Sequence, residues 1–108
     1  MRILVDESLP LELAEELKVE EARTVAELGW SGLANGALLR RAVTAGFEVL
    51  LTADQNLPFQ QNIAGYSIGI IVLKARSNRI QDLRPLIPAI RQGLGILTPG
   101  QILRLTNP

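Results

Sequence analysis

A three-layer α/β domain, with a mostly parallel sheet and helices on both of its faces, is the fold this sequence predicts. Three observations carry that expectation. Short aliphatic runs alternate with stretches of helical periodicity along the chain. The runs at 47–52 and 67–73 are nearly all apolar, as strands covered on both faces should be. Two of the runs also end alike. Arg2-Ile3-Leu4-Val5 leads into Asp6-Glu7-Ser8-Leu9-Pro10, and Val49-Leu50-Leu51-Thr52-Ala53 leads into Asp54-Gln55-Asn56-Leu57-Pro58, so that Asp, Leu and Pro coincide. If both strands are parallel in one sheet, both carboxylates reach its carboxyl edge, where open α/β sheets bind ligands.

The elements follow in order. Residues 2–5 form the first strand. Ser8 and Pro10 read as the cap and first turn of a helix. Leu9, Leu13 and Leu17 then recur on one face, opposite Glu12, Glu15 and Glu16, which predicts a helix over about 9–18 with acids favouring its positive end. Residues 22–26 read as a short, weak second strand, and 28–34 as a loop around Trp30. Asn35 is expected to cap a second helix whose apolar face is Leu38, Leu39, Ala42, Val43 and Ala45, with Gly46 ending it. Residues 47–52 are the third strand, 54–66 a polar loop or short helix, and 67–73 the fourth strand. Ile80, Leu83, Ile87, Ile90 and Leu94 make a helical stripe that should start or bend at Pro85, with Gly93 and Gly95 closing it. Residues 101–105 fit either an edge strand or a short helix.

A chain of 108 residues is one domain by length. The apolar fraction of 47% fills a core, and with only one Trp, one Tyr and two Phe that core must be aliphatic. There is no Cys and no His. That removes disulfides, thiolate chemistry, imidazole general bases, Ser-His triads and the usual zinc sites, so acid–base or metal chemistry must use carboxylates. No apolar run approaches a membrane span and no leader pattern opens the chain, so a soluble, cytoplasmic protein is expected. The formal net charge of zero hides an asymmetry. Residues 1–27 carry eight acids, whereas 73–108 carry Asp82 alone against Lys74, Arg76, Arg79, Arg84, Arg91 and Arg104. This suits a basic nucleic-acid surface, head-to-tail subunit packing, or simply solvated helix faces.

The motifs Ile3-Leu4-Val5-Asp6-Glu7-Ser8-Leu9-Pro10 and Leu51-Thr52-Ala53-Asp54-Gln55-Asn56 resemble the two main motifs of a small PIN-like family, known mainly as a domain of unknown function and discussed among toxin–antitoxin proteins. Glu27-Leu28-Gly29-Trp30-Ser31-Gly32-Leu33-Ala34-Asn35-Gly36 and Gln60-Gln61-Asn62 are similar to one of its subgroups. The likeness spans nearly the whole chain. It implies a PIN-like fold and, as for PIN domains in general, a magnesium- or manganese-dependent ribonuclease whose carboxylates hold the cation. Asp6 and Asp54 match the family's catalytic acids, and Glu7 matches the acid that commonly follows the first, so that all three are candidate metal ligands. Asn35 and Asn56 stand where many relatives carry acids. Together with Thr52 they are candidate polar contacts in the site. Arg40, Arg41 and Lys74 are the candidate phosphate contacts. The resemblance also implies RNA as substrate and an antitoxin-like protein partner, while the acidic first helix, the basic last third and the Trp30 loop suggest a homo-oligomer or a partner-bound state.

The chemistry asks for these residue types. Hard cations prefer oxygen ligands, and magnesium keeps several waters, so few carboxylates suffice. Each residue also has a plainer reading. Either Asp alone would cap the turn after its strand; two in one repeated setting read as a shared site. Glu7 reads as solvent-exposed, Asn35 as a cap, Trp30 as a core plug or subunit contact, and Gln60, Gln61 and Asn62 as loop closure. The competing function is a catalytically degenerate module that binds a partner protein or nucleic acid. A haloacid-type phosphotransferase also opens on a strand ending in Asp, but Asp6-Glu7-Ser8 lacks the second Asp of its motif.

Overall fold

The computed structural model describes residues 1–19 and 21–107. Five strands, β1 (Arg2–Val5), β2 (Glu21–Thr24), β3 (Val49–Thr52), β4 (Gly69–Lys74) and β5 (Ile102–Thr106), form one sheet in the order β2-β1-β3-β4-β5. Every pairing is parallel, with Ile3 opposite Ala22 and Val49, Val49 opposite Gly69, and Ile70 opposite Ile102. The helices are α1 (Leu11–Glu16), α2 (Asn35–Thr44), α3 (Leu57–Gln60), α4 (Ile80–Leu83) and α5 (Ile87–Ile96).

Strand alternation divides the core in two. Ile3, Val5, Val49, Leu51, Ile71 and Leu73 face α1, α4 and α5 through Leu13, Leu17, Leu83 and Ile90. Leu4, Leu50, Ile70 and Val72 face α2 and α3 through Leu38, Leu39 and Leu57. The α/β architecture with helices on both faces is as expected, and the sheet is wholly parallel. Burial on both faces explains why the central strands carry no polar alternation.

Several boundaries differ from the sequence reading. Helix α1 begins at Leu11 behind Pro10, and no side chain caps it. Ser8 is instead drawn to Asp6. Asn35 does not cap α2. The N-cap is Ala34, and Asn35 is the first helical residue with its side chain directed elsewhere. Residues 47 and 48 precede β3, and residues 67 and 68 precede β4. Pro85 does interrupt the fourth helical stripe: a 3-10 turn, Arg84–Leu86, separates α4 from α5. Gly93 and Gly95 lie inside α5 and do not close it. Gly93 is buried there, and a Cβ on it would stand 2.5 Å from Leu103 Cδ2, so the glycine lets α5 lie close against β5. Gly46 does end α2. Its φ of +86° allows its N–H to reach Val43 O at 3.0 Å and that of Phe47 to reach Ala42 O at 3.0 Å, the paired bonds of a Schellman turn.

Of residues 101–105, 102–105 lie in a strand, β5, and Gln101 precedes it. The connections β2→β3 and β3→β4 step along the sheet on the α2/α3 face, but β4→β5 takes the same step with α4 and α5 on the other face. The last crossover therefore has the opposite hand to those two, an unusual arrangement. It leaves the α2/α3 face of β5 without a covering helix.

The charge asymmetry is partly consumed within the chain. Arg84 Nε meets Glu16 Oε1 at 2.7 Å, and Arg91 donates to the carbonyls of Glu16 and Leu17 at the end of α1. The acidic first helix is thus anchored by arginines of the last third, where cations also suit its negative end. Trp30 packs edge-on to Phe47 at 6.0 Å between ring centres, as a plug at the margin of the second core.

Candidate functional site

The chain leaves β1 for β2 on one side and returns for β3 on the other, so the topological switch point falls between β1 and β3. Ligands of doubly wound sheets bind at that point, beyond the strand ends. Asp6 follows the last residue of β1, and Asp54 lies two residues past β3. Asp6 N–H continues the ladder to Leu51 O at 2.9 Å. The repeated motif folds the same way twice: Leu9 N–H returns to Asp6 O at 3.0 Å, and Leu57 N–H to Asp54 O at 3.3 Å. Each turn therefore places its Asp at the carboxyl edge of the sheet.

Asp6 is buried, with 9% exposure, and two hydroxyls hold it. Ser8 Oγ and Thr52 Oγ1 both donate to Asp6 Oδ2 at 2.8 Å. Each hydroxyl also accepts an amide of the second motif, Ser8 from Ala53 N–H at 3.1 Å and Thr52 from Asp54 N–H at 3.0 Å. A hydroxyl has one proton, so these pairs fix both of them toward Asp6. Asp6 and the backbone of Asp54 therefore belong to one frame, with the fully buried Thr52 as its shared member. Asp6 Oδ1 receives no hydrogen bond among the described residues, and since no buried side-chain oxygen there lacks a partner, it reaches solvent.

Asp54 is satisfied differently. Its Oδ1 accepts Asn56 N–H at 2.9 Å, and its Oδ2 accepts Asn35 Nδ2 at 3.1 Å. Asn35 Nδ2 also donates to Gln60 Oε1 at 3.3 Å. The start of α2 is thereby pinned to the Asp54 turn and to α3. Gln55 ties the same turn to β4, donating to Leu73 O at 2.8 Å. Glu7 turns away: both of its oxygens accept Gly32 N–H at 3.2 Å, which braces the loop around Trp30. Among the described residues no three Asp, Glu, His or Cys side chains gather closely enough to hold a metal ion.

The cations divide as well. A Cβ on Gly36 would stand 3.3 Å from both Arg40 Nη1 and Gln61 Oε1, so the Arg40 guanidinium lies over Gly36 near the start of α2. Arg41 instead covers the Trp30 ring at 5.8 Å. Lys74 ends β4 and lines a separate cleft of about 450 Å3 with Arg76, Asp82 and Asn107. Asp6, Asp54, Thr52 and Asn35 therefore make one neighbourhood, Asn56 contributes its backbone, Arg40 stands over Gly36 at the start of α2, and Glu7, Arg41 and Lys74 are engaged elsewhere. Ser8 and Gln60 are members that the sequence reading took for a cap and a loop closure. For Ser8 the signal was spacing, since it follows Asp6 by two residues as Asn56 follows Asp54; Gln60 carries no such signal.

Comparison with protein-family models, with curated proteins and with solved structures finds no match for this chain. The PIN-like reading rests on the motifs quoted above. No helix among the described residues is long and apolar enough to cross a membrane.

Proposed function

We propose that this chain is a PIN-like, divalent-metal-dependent endoribonuclease with a weakened acidic site, a toxin component that meets an antitoxin-like protein and its RNA substrate in the cytoplasm, and that it self-associates. The observation that carries the reading is the joint placement of Asp6 and Asp54 at the β1/β3 switch point, on a frame that shares Thr52. On this reading the site would take a magnesium or manganese ion that keeps most of its waters and so needs few protein ligands. Asp6 Oδ1 is open, Asp54 stands across the frame, and Asn35 offers an amide oxygen once its side chain turns over. A cation so held would neutralise phosphate charge and acidify a bound water. Asp6 and Asp54 would hold it, Asn35 and Gln60 would orient Asp54, and Arg40 would draw the phosphodiester toward the carboxylates.

The degenerate binding module is the second reading, and specific contacts favour it. The Asn35 amide already occupies Asp54 Oδ2, and Glu7 is engaged by Gly32. Manganese titration by calorimetry, alongside cleavage of single-stranded RNA, separates the two. The nuclease gives binding that weakens in Asp54→Asn and slow cleavage abolished by chelator or by Asp6→Asn. Neither binding nor cleavage leaves the module as the account.

A further inference from the structure

The last crossover leaves one face of β5 bare, and what stands on it is not what an idle surface carries. Ile102, Arg104 and Thr106 alternate along that face, and all three are exposed. Phe59 projects from α3 with 79% of its surface in solvent, although it follows the Asp54 turn by only a few residues. The Arg104 guanidinium lies over the Phe59 ring, 5.1 Å from its centre. Val72 is opposite Arg104 and Lys74 opposite Thr106, so Lys74 shares this face by strand alternation and lies further toward the carboxyl edge. The strip thus holds an open aromatic ring and two cations, and it runs toward the edge that bears Asp6 and Asp54.

We infer that this strip is a base-stacking platform for single-stranded RNA, with Phe59 and Arg104 as the stacking pair and Lys74 as a backbone contact. The inference rests on the proposed function for its choice of RNA. An apolar partner would ask for a broad apolar patch, whereas here Phe59 and Ile102 are the apolar groups and stand among Arg104, Thr106 and Lys74. Strands of nucleic acid present both features that match: a π-face for the ring and guanidinium, and phosphate for the ammonium. Stacking accepts any base, so the platform would hold the strand without reading its sequence, and the Asp54 turn between platform and carboxylates would set which phosphate reaches the site.

The test measures binding of a labelled oligouridylate by fluorescence anisotropy, in chelator, so that no cleavage occurs. An abasic ribose-phosphate strand of equal length serves as the comparison. Wild type should favour the strand with bases, and Phe59→Ala should lose that preference, weakening oligouridylate binding about fivefold to a hundredfold while leaving abasic binding unchanged. Phe59→Trp should retain it. Lys74→Ala should weaken both strands equally and lower the salt dependence by about one phosphate contact. Because Phe59 is exposed, its variants should keep the wild-type unfolding midpoint. The inference is overturned by oligouridylate binding unchanged in Phe59→Ala, by equal affinity for the two strands, or by no binding at all. It is overturned too if sedimentation shows that Phe59→Ala alters self-association and leaves RNA binding intact. A protein with the expected stacking and no cleavage under manganese would refute the nuclease and leave the platform standing.

Discussion

Replacing Thr52 with Val probes the frame that joins the two aspartates. Valine has the shape of threonine and suits a strand, so packing should be kept while the hydroxyl is lost. Thr52 is fully buried, donates to Asp6 Oδ2 at 2.8 Å and accepts Asp54 N–H at 3.0 Å. A hydrogen bond to a charged group contributes about 1.5–3 kcal/mol, and an amide left without its acceptor costs about 1–3 kcal/mol. Asp54 is half-buried, so water relieves part of the second cost. The new buried methyl returns about 0.8 kcal/mol. The net expectation is a loss of about 2–4 kcal/mol in urea unfolding. Thr52→Ser keeps both bonds and loses only a methyl, at about 0.5–1.5 kcal/mol. In an Asp6→Asn background the cost of Thr52→Val should fall by at least about 0.5 kcal/mol, the signature of direct contact. If Thr52→Val matches wild type within about 0.5 kcal/mol, or costs less than Thr52→Ser, the hydroxyl does not organise this edge.

Asn35→Asp sets a carboxylate against Asp54 Oδ2, where the amide now lies at 3.1 Å. Repulsion should lower the thermal midpoint without metal, and manganese should raise it more than it does for wild type; a variant as stable as its parent and indifferent to manganese would mean that the pair is not a cation site. Gly93→Ala gains about 1 kcal/mol of helix propensity but forces Leu103 aside, at about 1–3 kcal/mol, so a net loss of up to about 2 kcal/mol is expected in the same unfolding assay. Arg84, through its hydrogen bond first and its charge second, holds the Glu16 carboxyl below its ordinary value. A depressed carboxylate stabilises the fold above its unfolded value of about 4.3 and loses that contribution as pH falls through the folded value. The stability difference between wild type and Glu16→Gln should accordingly be small and flat near neutrality, shrink below about pH 4.3, and diminish in high salt, since the pair is exposed.

The sequence by itself determined the layers and the edge. Aliphatic runs of strand length alternating with helical stripes leave a parallel sheet as the way to bury both, and a repeated Asp-x-x-Leu-Pro after two such runs places both carboxylates at strand ends. Gly46 and Pro85 were legible because their backbones permit few alternatives: one takes a positive φ that side chains resist, the other cannot donate in a helix interior. What the tertiary structure decided was which partner each polar group takes. Ser8 and Asn35 have the chemistry of helix caps, and local reasoning assigns them so. Ser8 takes the carboxylate two residues before it, in a frame whose other hydroxyl, Thr52, arrives only through the pairing of β1 with β3, and Asn35 finds Asp54 where α2 packs beside the end of β3. Glu7, adjacent to Asp6, follows the opposite course and turns to Gly32. The conformation of the last segment was equally open. Its alternating, half-apolar pattern fits a strand or a short helix in isolation, and pairing with β4 made it a strand. The hand of the last crossover has no local signal at all. It is fixed by where α4 and α5 find apolar surface, beside α1, and that choice bares the face of β5 on which Phe59 and Arg104 stand.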